Sequence, residues 1–163
     1  MKANSPVSRA IQRLASSRAF ARVAPSIVPR LDRFLSRISG GRFMSSGGVV
    51  PSILLISTGA RSGQQRETPL ATVPDGLDFF VVGSNFGRTA HPAWSYNLLA
   101  NPEATVVSHG RRIPVIARML DHDEKAATWP RLLAIWPTYE VYEERTVREL
   151  RVFRLRPSAQ QAE

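Results

Sequence analysis

Between residues 51 and 157 the apolar positions come in short runs, each closed by glycine, proline or asparagine rather than by long polar spacers. Ser52 to Ser57 is almost wholly apolar and bounded by Pro51 and a glycine turn, which predicts a buried strand. Arg66 to Val73 continues extended after that turn, with Pro69 asking for an edge or bulge position. Pro74, Asp75 and Gly76 signal a further turn and Leu77 to Ser84 a third strand, so these three runs read as an antiparallel meander. Pro92 suits the first turn of a helix through Leu99, which Asn101 and Pro102 end. Glu103 to Ser108 and Arg111 to Leu120 predict a hairpin about His109 and Gly110, with Pro114 again on an edge or bulge. Asp121 to Trp136 places Ala126, Trp129, Leu132, Leu133 and Trp136 at helical spacing behind an Asp121 cap, and Pro130 predicts a bend or restart. Pro137 to Thr146 reads as an aromatic, charged connection, and Val147 to Leu155 as the closing strand.

Six short strands in hairpins with two inserted helices predict an α+β, mainly β fold, a small closed or half-closed barrel, because closure removes exposed sheet edges. Ahead of it, Val7 to Val23 forms a weak, alanine-rich helical face, and Ile27, Leu31, Phe34, Leu35 and Ile38 form a cleaner stripe that Gly40 and Gly41 stop. The expected organisation is a basic helical extension over residues 1–44, a barrel over 45–157 and a disordered tail over 158–163.

Charge sharpens this division. Of the net +9, residues 1–44 supply nearly all, with nine basic side chains against the single acid Asp32, and the remainder is almost neutral. Charge confined to an arm points to an anionic membrane surface, and its lack of interleaved aromatics tells against nucleic acid. No apolar run is long enough to span a membrane and the first thirty residues lack the apolar centre of a secretion signal, so the expected location is cytoplasmic, peripherally held at the inner face of the membrane. The absence of cysteine removes disulfide and thiolate chemistry, and His91, His109 and His122 have no ligand spacing, so no metal site is expected.

Three clusters carry candidate chemistry. Gly59 to Gly63 is a glycine-bracketed turn whose Arg61 and Arg66 add fixed positive charge, suited to an anionic group approached by backbone N–H groups. Gly83 to Arg88 is a polar loop leading into His91, Pro92, Ala93, Trp94 and Asn97. Trp136, Tyr139 and Tyr142 could wall a planar ligand, or could be ordinary helix packing. Ser84 has no base near it in sequence and no carboxylate pair recurs, so nucleophilic and glycosidase chemistry lack support. A pocket for something planar and anionic remains, with chemistry carried by a cofactor.

These residues, in this order, resemble the deazaflavin-dependent nitroreductase family of actinobacteria, which includes quinone reductases using reduced coenzyme F-420. The resemblance spans about Ile53 to Pro157. It rests on Thr58 to Gly63 with Arg66, Thr68, Pro69 and Leu70; on Gly83, Ser84 and Asn85; on His91 to Trp94 with Asn97, Leu98 and Ala100 to Pro102; and on Trp136 to Tyr139 with Tyr142, Arg145 and Thr146. It implies a split β-barrel of the FMN-binding type, with Ala60, Arg61, Ser62, Arg66, Glu67, Thr68, Pro69, Leu70 and Ala71 along the deazaflavin. Val82, Gly83, Ser84 and Asn85 would lie by its ring, and Ala93, Trp94, Ser95, Tyr96 and Asn97 on the opposite wall. Ser84, Tyr139 and Tyr142 would face the substrate as the catalytic set, with Tyr139 also touching the cofactor. The family often has basic residues where Ala60 and Asn85 stand and a tyrosine where Trp136 stands, and these departures leave FMN or heme binding as the alternative. A non-catalytic membrane-surface protein is the alternative of another class. The implied partners are a quinone or nitro-aromatic acceptor and a second copy in a homodimer.

Overall fold

The computed structural model describes residues 50–158. The expected helical extension over 1–44, and the tail beyond Ser158, lie outside the described residues. Among the described residues there are seven strands: β1 (Ser52–Thr58), β2 (Gln65–Ala71), β3 (Val73–Asp75), β4 (Asp78–Val82), β5 (Glu103–Ser108), β6 (Arg111–Met119) and β7 (Val152–Pro157). Three helices join them, α1 (Ala93–Ala100), α2 (His122–Ile135) and α3 (Thr138–Glu144), with a one-turn 3-10 segment at Asn85–Gly87.

All strand pairs are antiparallel and the order across the sheet is β2-β1-β5-β6-β7-β4-β3. The two edge strands are separated in the chain by Thr72 alone. A stretch this short can hold both edges only if the sheet curls until they approach, which makes a split barrel. Thr72 is the corner: its N–H donates to Pro51 O beside β1 at 2.9 Å, and its hydroxyl donates to Phe80 O on β4 at 3.0 Å. This explains why seven strands stand where six were expected, and why the meander is not formed. The run from Arg66 to Val73 leaves β1 at Thr72, and β3 and β4 make their own hairpin at the opposite edge of the sheet.

Both prolines sit where the missing N–H costs no ladder bond. Pro69 lies on the edge strand β2, and Pro114 lies in the part of β6 beyond the end of β7, which first pairs at Val115. Helix α2 begins at a complete capping box between Asp121 and Glu124 and runs through Pro130 without a restart. The expected closing strand is shorter and later than the apolar pattern suggested, because residues 147–151 are engaged with the loop after β4.

Side-chain alternation builds two cores. Val81, Phe153 and Leu155 face the barrel interior with Ile53, Leu55, Val106 and Val115, and α1 plugs it with Trp94 and Leu98. Phe80, Val82 and Val152 face the other way, onto Leu132, Leu150, Tyr139 and Tyr142 beneath α2 and α3. Strand β4 is therefore apolar on both faces, which is why Phe79 to Val82 reads as an unbroken run.

Candidate functional site

The basic turn is held closed by its own backbone. Gly59 N–H donates to Gln64 O and Gly63 N–H to Gly59 O, both at 2.8 Å. Gly59 is glycine because a Cβ there would meet Ser62 Oγ at 2.7 Å and Gln64 O at 3.2 Å. Ser62 Oγ accepts from Gln64 N–H at 3.3 Å and from the Arg66 guanidinium at 3.4 Å. The N–H groups of Gly59 and Gly63 are therefore used inside the turn. The turn offers side-chain charge instead: Arg61 and Arg66 are exposed, and neither makes an ion pair among the described residues.

Helix α1 ties this turn to the rest of the site. Asn97 Oδ1 accepts from Ala60 N–H at 3.0 Å and its Nδ2 donates to the buried Ser57 Oγ at 3.3 Å, while Asn101 Nδ2 reaches Thr58 O at 3.4 Å. Two residues earlier, Ser95 Oγ accepts from Arg151 at 3.2 Å, and the Arg151 guanidinium lies 4.6 Å over the Tyr96 ring. The Arg151 carbonyl accepts from Gly83 N–H at 2.8 Å. The turn and the end of β4 are thus anchored on one eight-residue helix, through residues about 3 Å apart along its axis.

The loop after β4 is a corner of three consecutive left-handed residues, Asn85 (φ 46°), Phe86 (φ 57°) and Gly87 (φ 76°). Asn85 Nδ2 donates to Ala90 O at 2.8 Å, so this side chain braces the loop. Ser84 is half-buried and its hydroxyl makes no capping bond. Arg148 was not singled out in the sequence, yet its guanidinium donates to Gly83 O, Ser84 O and Arg88 O at 2.9–3.1 Å. Its run reads as strand there, and the one available signal was the break in alternation from Arg145 to Arg151. His91 Nδ1 faces the same guanidinium at 3.1 Å, and burial, then Arg151 and Arg148, lower its pKa below the usual imidazole value.

The aromatic cluster lies under this corner rather than beside it. Tyr139 and Tyr142 are 5% and 2% exposed, and Phe86 meets the Tyr142 ring edge-on at 6.1 Å. Tyr139 packs on both Tyr142 and Trp129, and Trp136 is half-buried against the same core. Burial pushes the Tyr142 hydroxyl up to about 12 and raises Tyr139 as well, so both stay protonated. Of the remaining sequence candidates, Trp94, Ser95 and Val82 are buried, Ala93 and Tyr96 are exposed on α1, and Glu67 to Ala71 are half-buried along β2. A cleft of about 340 Å³ opens between β1, β5 and β6, lined by Ile56, Thr58, Gln65, Glu103, Thr105 and Ile116 among others. It touches the foot of the basic turn but none of the corner. No group of three or more histidines and carboxylates among the described residues could hold a metal, and no described helix is long and apolar enough to cross a membrane.

A family model described as F420H(2)-dependent quinone reductase matches residues 30–157. A Mycobacterium tuberculosis protein (strain ATCC 25618 / H37Rv), provisionally named for that activity, is 32% identical over 108 residues, 66% of this chain and 91% of the relative. A solved structure of an F420-H2 dependent reductase is 33% identical with a TM-score of 0.60, covering 64% of this chain and 93% of its own. Another, described as a domain-swapped dimer, is 30% identical with a TM-score of 0.62, covering 76% of this chain and 94% of its own.

Proposed function

This chain belongs to the F420H(2)-dependent quinone reductase family, and from that premise we infer an oxidoreductase that passes hydride from reduced coenzyme F-420 to a quinone. The observation that carries the site assignment is the double anchoring of α1, with Asn97 on the basic turn and Ser95 linked through Arg151 to the Ser84 corner. This ties a charged turn and a polar, half-buried corner to one short helix, which suits an elongated cofactor with a flat ring and an anionic tail. The donor set fits the tail: Arg61 and Arg66 are exposed cations with no carboxylate to neutralise them among the described residues.

When bound, reduced coenzyme F-420 supplies the hydride, and the hydroquinone product needs a proton as well. The protein's contribution is binding, orientation and exclusion of water. Arg61 and Arg66, with Ser62, hold the tail, and Ala60 and the half-buried face of β2 from Glu67 to Ala71 line its course. Val82, Gly83 and Asn85 border the ring through the backbone of the corner, and α1 from Ala93 to Asn97 closes the other side. Ser84, whose hydroxyl is not used as a cap, donates to the acceptor oxygen. Tyr139 and Tyr142 form the floor that carries Phe86, a supporting wall rather than a mobile lid.

Nitro-aromatic compounds belong to the same electron-poor acceptor class and serve as further substrates. The basic segment 1–44 holds the protein peripherally at an anionic membrane surface, where a lipid-soluble quinone is concentrated. A homodimer is the assembly we favour, a reading supported by the domain-swapped relative. The test is fluorescence titration of the full chain with coenzyme F-420, with FMN in parallel. Arg61→Ala and Arg66→Ala each weaken F-420 binding by about tenfold at low salt and less at high salt, since each removes one charge-assisted contact to a polyanion. Equal affinity in the parent and both variants, or preference for FMN, refutes the assignment.

A further inference from the structure

We propose that Arg148 is the positioning residue that fixes the Ser84 corner, and with it the direction in which the Ser84 hydroxyl meets the acceptor. The proposal rests on the role given to Ser84 above, but its physical basis is independent of the reaction. Three consecutive left-handed residues turn the chain abruptly after β4, and two of them, Asn85 and Phe86, carry side chains for which that conformation is disfavoured. Asn85 has a local compensation through Ala90 O. Phe86 is seated edge-on against the Tyr142 ring at 6.1 Å.

The turn also brings carbonyls from its two ends close together, those of Gly83 and Ser84 on one side and of Arg88 on the other. Arg148 reaches all three: Nε donates to Arg88 O at 3.0 Å, one terminal nitrogen to Gly83 O at 3.1 Å, and the other to Ser84 O at 2.9 Å. The first terminal nitrogen also faces His91 Nδ1 at 3.1 Å. A guanidinium can only donate, so that imidazole nitrogen is an acceptor and the His91 ring is held neutral. Four of the five Arg148 N–H donors are thus placed, on three carbonyls and one ring, and no carboxylate is its ion-pair partner among the described residues. This is geometry that a planar fork can satisfy and a lysine ammonium cannot. Arg148 is itself presented by residues 147–151, which is why that segment is loop where the apolar pattern predicts strand.

The test compares full-length Arg148→Lys and Arg148→Ala with the parent and with Ser84→Ala, using coenzyme F-420 and a soluble quinone. We expect Arg148→Lys to keep a cooperative melt and F-420 affinity within about twofold, while kcat falls by at least about tenfold, as misplacement of a positioned group costs rate rather than binding. Amide hydrogen exchange across residues 85–88 should accelerate about tenfold or more, with β1 and β5 unchanged. Added guanidinium ion should restore part of the turnover of Arg148→Ala and none of that of Ser84→Ala. Unchanged exchange at 85–88, or loss of turnover that follows only a loss of folded protein without guanidinium rescue, overturns the proposal. If the parent itself neither binds F-420 nor reduces the quinone, the functional reading fails, and the exchange measurement still decides whether Arg148 holds the corner.

Discussion

Replacing Asn97 by alanine tests whether α1 is the hub of the site. The side chain bridges Ala60 N–H at 3.0 Å and Ser57 Oγ at 3.3 Å, and Ser57 is only 2% exposed. Two net hydrogen bonds contribute about 0.5–1.5 kcal/mol each, and stranding a buried hydroxyl moves the cost toward the upper end, so the loss is about 2–3 kcal/mol. For a chain of this size that lowers the melting temperature by about 6–9 °C. Untying Ala60 also frees the turn that carries Arg61, and F-420 affinity should fall by about three- to tenfold. Asn97→Asp separates the two effects. Its carboxylate can accept from both Ala60 N–H and the Ser57 hydroxyl, so the melt stays within about 2 °C of the parent, while its negative charge beside the basic turn repels the anionic tail and lowers affinity. The assays are a thermal melt by circular dichroism and a fluorescence titration at two salt concentrations. An Asn97→Ala variant that melts and binds like the parent refutes the anchoring, and an Asn97→Asp variant with unchanged affinity refutes the placement of the tail.

Tyr142→Ala should cost about 3–5 kcal/mol in a denaturant melt, because its ring is a buried support for Phe86, whereas Tyr142→Phe should cost far less; an unperturbed melt in the alanine variant would make this residue a lid. Glu124 is held near pKa 2, chiefly by its hydrogen bonds from Arg118 and also by Asp121 N–H, so the folded state favours the carboxylate. That stability is present above the unfolded value of 4.5 and is lost as pH falls toward 2, and Glu124→Gln should flatten this part of the acid-unfolding profile. In vesicle flotation, the full chain should rise with anionic liposomes at low salt, and the full chain with Arg9, Arg13, Arg18 and Arg22 changed to glutamine should not, since each basic residue contributes about 1 kcal/mol; equal flotation of both would remove the arm as the membrane contact.

Local chemistry sufficed for much of the fold. The apolar run before the glycine turn, the Glu103 to Met119 hairpin and the Asp121 cap are set by period, turn residues and capping, all of which act within a few positions. The ordered motifs were specific enough to indicate the family, and with it the split barrel and the deazaflavin. Other features depend on contacts distant in sequence. Thr72 is a corner because Pro51 O and Phe80 O wait on opposite edges of a curled sheet, and nothing in the run from Arg66 to Val73 marks the break. Tyr139 and Tyr142 have a spacing that fits either a ligand wall or a helix face, and only the docking of α3 beneath Phe86 puts them inside. Asn97 and Arg148 lie 37 and 64 residues from the Ala60 and Ser84 backbone groups they bind. A side chain's hydrogen-bond partners at that separation are chosen by how the sheet closes and where α1 and residues 145–151 come to rest, so Asn97 is marked in the sequence but its partners, and Arg148 altogether, become legible only once the barrel has formed.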